Sequence, residues 1–439
     1  MNNFRLQKQR KTLPISENET NLKNQNIFNR NNKFQKKIEG GNNDLLGKND
    51  KNEFQNFSVF QESNFIEKNI FQNNDDNKEV TINEKINKLI FKYKNELDKK
   101  YMEKKIALKI AKNEDFSFFI SLVQCLSNLH DLLLYLQNNI ALIKDEENYP
   151  FSFSFFRIIE HLYCNNNNSD PNKDILSFIK VVEYFYPFFR AYKNPIDLYG
   201  IIMNDLHNEL NEIRTNNNTI CLNETKIDKR NSNEVITNNI NCFNQNNNSI
   251  ISKYFTFFCK KDIKCIKCNN IYYELQNFIS FDIDPINTYK KYKKKKLTIN
   301  DCLTYYLSPI TEKAICSICN KLCKLSIQKK IFSPSSNLVL VINRNNQDEE
   351  KQLLDININY EEILDISYFI DKKIDFKAQY ILIGVVAFLN EKKKFLSFCK
   401  NIFHNNEWIS FDDGSINECN YNDMVNNSSP YLLFYKKID

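Results

Sequence analysis

A chain of 439 residues with 42% hydrophobic and 13% aromatic side chains holds apolar material for one large domain with insertions or a few ordinary ones. A net charge of +6 over that length gives no compositional case for nucleic-acid binding, and thirteen cysteines, an odd number without small-domain density, argue against a disulfide scaffold. The segment Met1 to Arg10 lacks the apolar stretch of a signal peptide, and no window approaches the roughly 18 uninterrupted apolar residues of a membrane span, so the expected location is the cytoplasm or nucleus.

Residues 1–78 are Asn, Lys, Gln and Glu with isolated Phe and Leu. They bury too little apolar area to offset the entropy of ordering them, so a disordered tail is expected. Phe57, Phe60, Phe65 and Phe71 are either a short docking motif or simply scattered aromatics. At Thr81 the texture changes. Thr81-Ile-Asn-Glu84 reads as a capping box, and Ile82, Ile86, Leu89, Tyr93 and Leu97 follow at helical spacing, which predicts an amphipathic lead-in helix within 79–105.

From Phe116 to Gln137 the chain is apolar nearly all round, the pattern of a central buried helix. Asn194-Pro195, an N-cap followed by proline in the first turn, starts a second helix running through Leu206 and Leu210. Residues 215–249 return to asparagine repeats and predict a disordered insertion. Short β-rich segments come after it, at 254–258, 271–275, 278–283, 338–342, 380–388, 395–399 and 431–435. Helices first and strands afterwards predict an α+β fold.

Two Cys-x-x-Cys turns, Cys265-Ile-Lys-Cys268 and Cys316-Ser-Ile-Cys319, supply four thiolates at the spacing that tetrahedral Zn²⁺ accepts. With all four positions filled the site is structural, and the long gap between the turns predicts an excursion such as a hairpin. Inside that gap, Lys290 to Lys296 with Tyr292 reads as a solvated hairpin tip, weighed against a patch for RNA or an acidic partner.

Several ordered segments together resemble the ubiquitin-specific protease family of ubiquitin carboxyl-terminal hydrolases. The family's Gly-Asn-Thr-Cys-Tyr-Met-Asn-Ser-x-Leu-Gln-Cys-Leu box is similar to Glu114-Asp-Phe-Ser-Phe-Phe-Ile-Ser-Leu-Val-Gln-Cys-Leu126, and its Gln-Asp-Ala-x-Glu-Phe-Leu box to Lys193-Asn-Pro-Ile-Asp-Leu-Tyr199 followed by Ile202 to His207. The cysteine turns look like its zinc ribbon. Phe278 to Ile283, Leu338 to Arg344, Tyr380 to Val386, Trp408 to Asp413 and Pro430 to Tyr435 follow in family order. The resemblance implies a papain-like thumb, palm and fingers, with the domain at 106–437 and zinc-ribbon fingers at 259–330.

It also implies catalytic positions, and there the chain departs from the pattern. Ser117 stands in the slot of the nucleophilic cysteine, Lys394 in that of the histidine base, and Asp412, with Asp413 beside it, in that of the orienting acid. An alkoxide is harder to form than a thiolate, and an ammonium group accepts no proton. The oxyanion asparagine aligns with Lys112, or with Asn113 if the register shifts by one. Substitutes were weighed: His404 as a displaced base, Cys125 as a displaced nucleophile against an inert core thiol, and a Ser117–Lys394 dyad. The leading expectation is a catalytically silent fold that binds ubiquitin, a ubiquitin-like protein or subunits of a complex. The alternatives are an active deubiquitinase with displaced residues and, at less weight, a scaffold in an RNA-processing complex.

Overall fold

The computed structural model describes residues 81–104, 107–109, 116–140, 145–163, 171–189, 193–211, 232–294, 296–344, 356–371, 377–403, 407–412 and 414–438. The expected tail, with Phe57, Phe60, Phe65 and Phe71, lies outside them, as do Lys112, Asn113, His404 and Asp413. No single helix among the described residues is long and apolar enough to cross a membrane.

The lead-in helix is α1, Ile82–Glu96, closed by the expected capping box: the Glu84 amide donates to Thr81 Oγ1 at 3.3 Å and the Thr81 amide to Glu84 Oε2 at 2.8 Å. The apolar run that reads as one helix is two, α2 (Ser117–Leu126) and α3 (His130–Asn138), bent by 73°. Side-chain hydrogen bonds cause the break. Ser127 Oγ donates to the Gln124 carbonyl at 2.8 Å, and Asn128 Nδ2 donates to the carbonyls of Ile383 and Lys400, so the chain is pinned to two strands instead of continuing its helical ladder. Then come α4 (Pro150–Tyr163), α5 (Pro171–Phe185) and α6 (Pro195–Leu210), the last capped by Asn194 Oδ1 accepting from the Ile196 amide at 3.0 Å.

The 215–249 stretch needs a correction. Its first part lies outside the described residues, but Ser232–Asn246 forms helix α7. Val235, Ile236, Ile240 and Phe243 make a narrow apolar stripe among the asparagines. Ile236 is buried against Tyr273 and Phe332, and Phe243 meets Phe258 edge-on at 5.3 Å. Composition averaged over the stretch hides a stripe that tertiary contacts stabilise.

After α8 (Ile250–Tyr254) the chain forms β1 (Phe257–Cys265), β2 (Ile271–Phe278), β3 (Phe281–Ile283), α9 (Pro285–Tyr292), β4 (Lys296–Thr298), α10 (Ile299–Tyr306), β5 (Ile310–Ile315), β6 (Leu322–Ser333) and β7 (Asn337–Ile342). It continues through β8 (Asn357–Asn359), β9 (Ile363–Asp365), β10 (Gln379–Leu389), β11 (Lys394–Asn401), β12 (Glu407–Asp412), β13 (Ser415–Cys419), α11 (Tyr421–Asn427) and β14 (Ser429–Ile438). Tyr254, read from sequence as strand, ends a helix.

Two main sheets organise these strands. The larger runs β13-β12-β11-β10-β14-β7-β3, with β9 on the start of β10, and all its pairings are antiparallel except β3 with β7. Both of its faces are buried, with strict alternation: Val339, Val341, Leu432 and Phe434 join the core under the helices, while Leu338, Leu340, Leu433 and Tyr435 join a second core on the opposite face. The smaller antiparallel sheet, β2-β1-β6-β5, carries the cysteine turns.

The gap between those turns is not a simple hairpin. After β2 the chain leaves the small sheet, adds β3 to the large one, buries Ile286, Leu297, Ile299 and Leu303 in the second core and returns as β5. The basic run is likewise no hairpin tip. Lys290 and Lys291 end α9, Lys293 caps it at φ 55°, and Lys294 Nζ pairs with Asp301 at 2.6 Å. The excursion is apolar enough to be core, which overrides its surface-like lysines.

Candidate functional site

Ser117 is the first residue of α2. Phe116, Phe118 and Phe119 around it are buried, and the rings of Phe118 and Phe119 meet Phe189, which holds the helix start in the core. The N-terminal helix dipole favours an anion there. Opposite lies the β10–β11 hairpin, whose turn places Lys393 in the left-handed region at φ 51° and starts β11 at Lys394. The Phe395 amide donates to Ser117 Oγ at 3.1 Å. The Phe395 ring is seated between Phe388 and Tyr431 at 5.1 and 5.0 Å, so this contact joins two well-packed elements.

Asp412 ends β12 beside them. Lys394 Nζ pairs with its Oδ1, and Lys392 Nζ with its Oδ2 at 2.7 Å. Partial burial pushes the Asp412 carboxyl up, but the hydrogen bonds and charges of Lys392 and Lys394 outweigh it and hold the group below its ordinary value. The next turn is tight: at Gly414, φ 87°, an added Cβ would lie 3.1 Å from the Lys109 side chain. The structure therefore brings Ser117, Lys394 and Asp412 to one place, while Asp413 lies outside the described residues. Lys392 was missed by sequence reasoning. Its signal was the run Lys392-Lys-Lys394, which puts a second cation two residues before Lys394.

Cys125 lies two turns along α2, fully buried, and burial raises its thiol well above the ordinary value. It is core, with no exposed surface. Ser117 Oγ accepts from the Phe395 amide, and among the described residues no imidazole or unpaired carboxylate is placed with it.

At the tip of the small sheet the sulfurs of Cys265, Cys268, Cys316 and Cys319 all lie within 4.8 Å of one another, and Cys268 and Cys316 are 3.8 Å apart. A tetrahedron with metal–sulfur bonds of about 2.3 Å has sulfurs about 3.8 Å apart, so the donor set fits such an ion. The two turns are built alike. Asn269 and Asn320 adopt φ of 56° and 50°, and amides point at the first sulfur of each turn, Cys268 N–H to Cys265 Sγ and Ile318 N–H to Cys316 Sγ. The Cys268 amide is the main reason the Cys265 thiol is lowered, to about 6, which favours the thiolate a metal binds. Sequence reasoning missed Cys323, whose Sγ lies 3.5 Å from that of Cys265 and donates to the Lys321 carbonyl at 2.8 Å. It lies beside the cluster as a fifth sulfur.

The family model described as ubiquitin carboxyl-terminal hydrolase matches residues 110–435. Among solved structures the chain is similar to the SAGA DUB module of Ubp8, Sgf11, Sus1 and Sgf73 bound to monoubiquitin, with 17% identity, a TM-score of 0.57 and coverage of 80% of this chain and 75% of that one. The same module bound to ubiquitin aldehyde matches with 17% identity and a TM-score of 0.58 over the same shares, 80% and 75%. The yeast SAGA DUB module with an altered Sgf73 matches at 16% identity and a TM-score of 0.55, covering 80% and 74%. At such identities the likeness concerns the fold. No match was found among the curated proteins.

Proposed function

The chain belongs to the ubiquitin carboxyl-terminal hydrolase family, and we propose that within it this protein is a catalytically silent binding module whose ligand is ubiquitin or a ubiquitin-like protein. One observation carries the proposal: the carboxylate that should orient a base is paired with two ammonium groups, Lys392 and Lys394. Ser117 Oγ is held by the Phe395 amide, and no imidazole stands beside it among the described residues. Removing a nucleophile or its base from a serine protease costs roughly 10⁶ in turnover, and here both roles are filled by groups unsuited to them. The binding half of the proposal draws support from the fold itself and from relatives whose structures hold ubiquitin.

The metal held by Cys265, Cys268, Cys316 and Cys319 is Zn²⁺ in this reading, and its role is to fix the fingers. Partners beyond ubiquitin are subunits of a larger assembly, by analogy with the modules to which the fold is similar, and the location is the cytoplasm or nucleus.

Titration of the purified chain with ubiquitin, alongside a ubiquitin C-terminal electrophilic probe and ubiquitin-aminocoumarin, tests both halves. Saturable binding without labelling or turnover is expected. Labelling abolished by Ser117→Ala or Cys125→Ala would make the protein a working deubiquitinase and sink the silent reading.

A further inference from the structure

The far end of α2, away from Ser117, abuts a cavity of about 280 Å³. Cys399 of β11 lines it, as do Lys104, His130, Phe403 and Phe411. Lys104 Nζ donates to Cys399 Sγ at 3.6 Å and to the Gln124 carbonyl at 2.5 Å, and the Cys399 thiol donates to the same carbonyl at 3.5 Å. The Lys104 ammonium also sits 5.0 Å from the centre of the Phe411 ring. Among the described residues no carboxylate pairs with Lys104; the charges acting on it are the sulfurs of Cys399 and Cys125. Burial lowers the hold of Lys104 on its proton, and the sulfurs of Cys399 and Cys125 oppose that loss; a thiolate at Cys399, its proton released to water, would supply the counter-ion that the ammonium lacks.

The two thiols divide unequally. Burial raises both, and Cys125 stays high. For Cys399 the hydrogen bond from Cys125 and the charge of Lys104 outweigh burial and hold the thiol below its ordinary value. The remaining ionisable groups facing Cys399 do not compete. Burial lowers His130 to about 3, so its ring is neutral, and burial raises Tyr163 and Cys419. At the rim, Lys400 is paired with Glu362, and Glu103 is engaged as well. His130 Nδ1 is buried without a hydrogen-bond partner and lines the same cavity, a polar contact not yet spent.

We propose that Cys399 is a covalent-modification site for small α,β-unsaturated carbonyl compounds that enter this cavity, with Lys104 as counter-ion and proton donor. The Cys399 sulfur pair forms a bond to the β-carbon. The carbon–carbon π pair moves to the α-carbon and carbonyl, and the enolate takes a proton from the Lys104 ammonium, which regains one from water. Nothing leaves, and no oxidant or reductant is consumed. Phe403 and Phe411 provide apolar wall for the hydrocarbon part.

The test is site-resolved peptide mass spectrometry of the full chain treated with N-ethylmaleimide between pH 5 and 9. Cys302, buried in the second core with its thiol raised to about 12 by burial, is the internal reference. At pH 7 Cys399 is expected to react at least about tenfold faster than Cys302, the ratio one pKa unit gives, with half-maximal rate below the ordinary thiol value of about 8.5. Lys104→Met should slow Cys399 about tenfold at pH 7 and move the half-point upward, and Lys104→Arg should restore both. Equal rates at Cys399 and Cys302, or a half-point unmoved by Lys104→Met, overturns the proposal. Should Lys104→Met fail to fold, the wild-type half-point decides alone: one at or above about 8.5 overturns the proposal.

Discussion

At the tip of the small sheet four sulfurs converge, while at the start of α2, where the resemblance places the cleft, two ammonium groups hold one carboxylate and the Phe395 amide holds a hydroxyl. Both places are held by the same kind of scaffold, strand ends and tight turns with left-handed residues at Asn269, Asn320 and Lys393. The difference is in what each set of side chains supports. A metal held by these sulfurs would also be part of the folding energy, so losing one ligand would damage the structure itself. Around Ser117 and Lys394 the shape is held by packing and backbone bonds, so in the proposed silent reading the fold keeps its form whichever reactive groups stand there.

The largest way to test this contrast is at the sulfurs. Chelation, or Cys265→Ser, should unfold the small sheet and lower the melting temperature sharply, since structural zinc is worth an apparent ~10–16 kcal/mol in small zinc-dependent folds. Metal analysis should find one zinc per folded chain, and folded protein without zinc would refute the assignment. A buried ion pair comes next. Asp131 accepts from Tyr93 Oη, Asn337 Nδ2 and Lys436 Nζ at 2.8, 2.8 and 2.6 Å, joining α1, α3, β7 and β14. Asp131→Ala strands the buried Lys436 and should cost about 3–5 kcal/mol in urea unfolding.

Smaller still is the cleft pair. Lys394 is 27% exposed, so Lys394→Met should change stability by no more than about 1 kcal/mol while ubiquitin affinity is measured in parallel. A cost as large as that at Asp131 would mean that the cleft bears structural weight after all. The smallest effect is acid titration. Burial raises the Asp412 carboxyl, but Lys392 and Lys394 outweigh it and leave its folded pKa below the unfolded one. Its contribution is thus complete above the unfolded value of about 3.9 and is lost as pH falls through the lower folded value. Lys394→Met should flatten that part of the stability profile below about pH 4, and Asp131→Ala should flatten it further, because Lys436, Tyr93 and Asn337 overcome burial there too.

Much of this was legible from local pattern. The capping box at Thr81, the Asn194-Pro195 helix start, the paired Cys-x-x-Cys turns and the alternating strands at 338–342 and 431–435 each depend on residues close in sequence. Patterns failed where a distant contact decided. Asn128 reads as an ordinary polar residue in an apolar helix, and only its reach to the Ile383 and Lys400 carbonyls makes it a bend. The stripe in Ser232–Asn246 is too thin to predict a helix until Tyr273, Phe332 and Phe258 cover it.

The amino-acid sequence by itself determined which groups are present: four thiols in paired turns, and Ser117, Lys394 and Asp412 in ordered segments that resemble the family's motifs. Tertiary structure alone decided their company. It set Lys392 on Asp412 beside Lys394, placed Cys323 next to the four-cysteine cluster, and brought Lys104 to Cys399 across 295 positions of chain. The physical reason is range. Propensity and spacing act over a few residues, whereas charge and hydrogen bonding act through space between segments that only the closed core brings together.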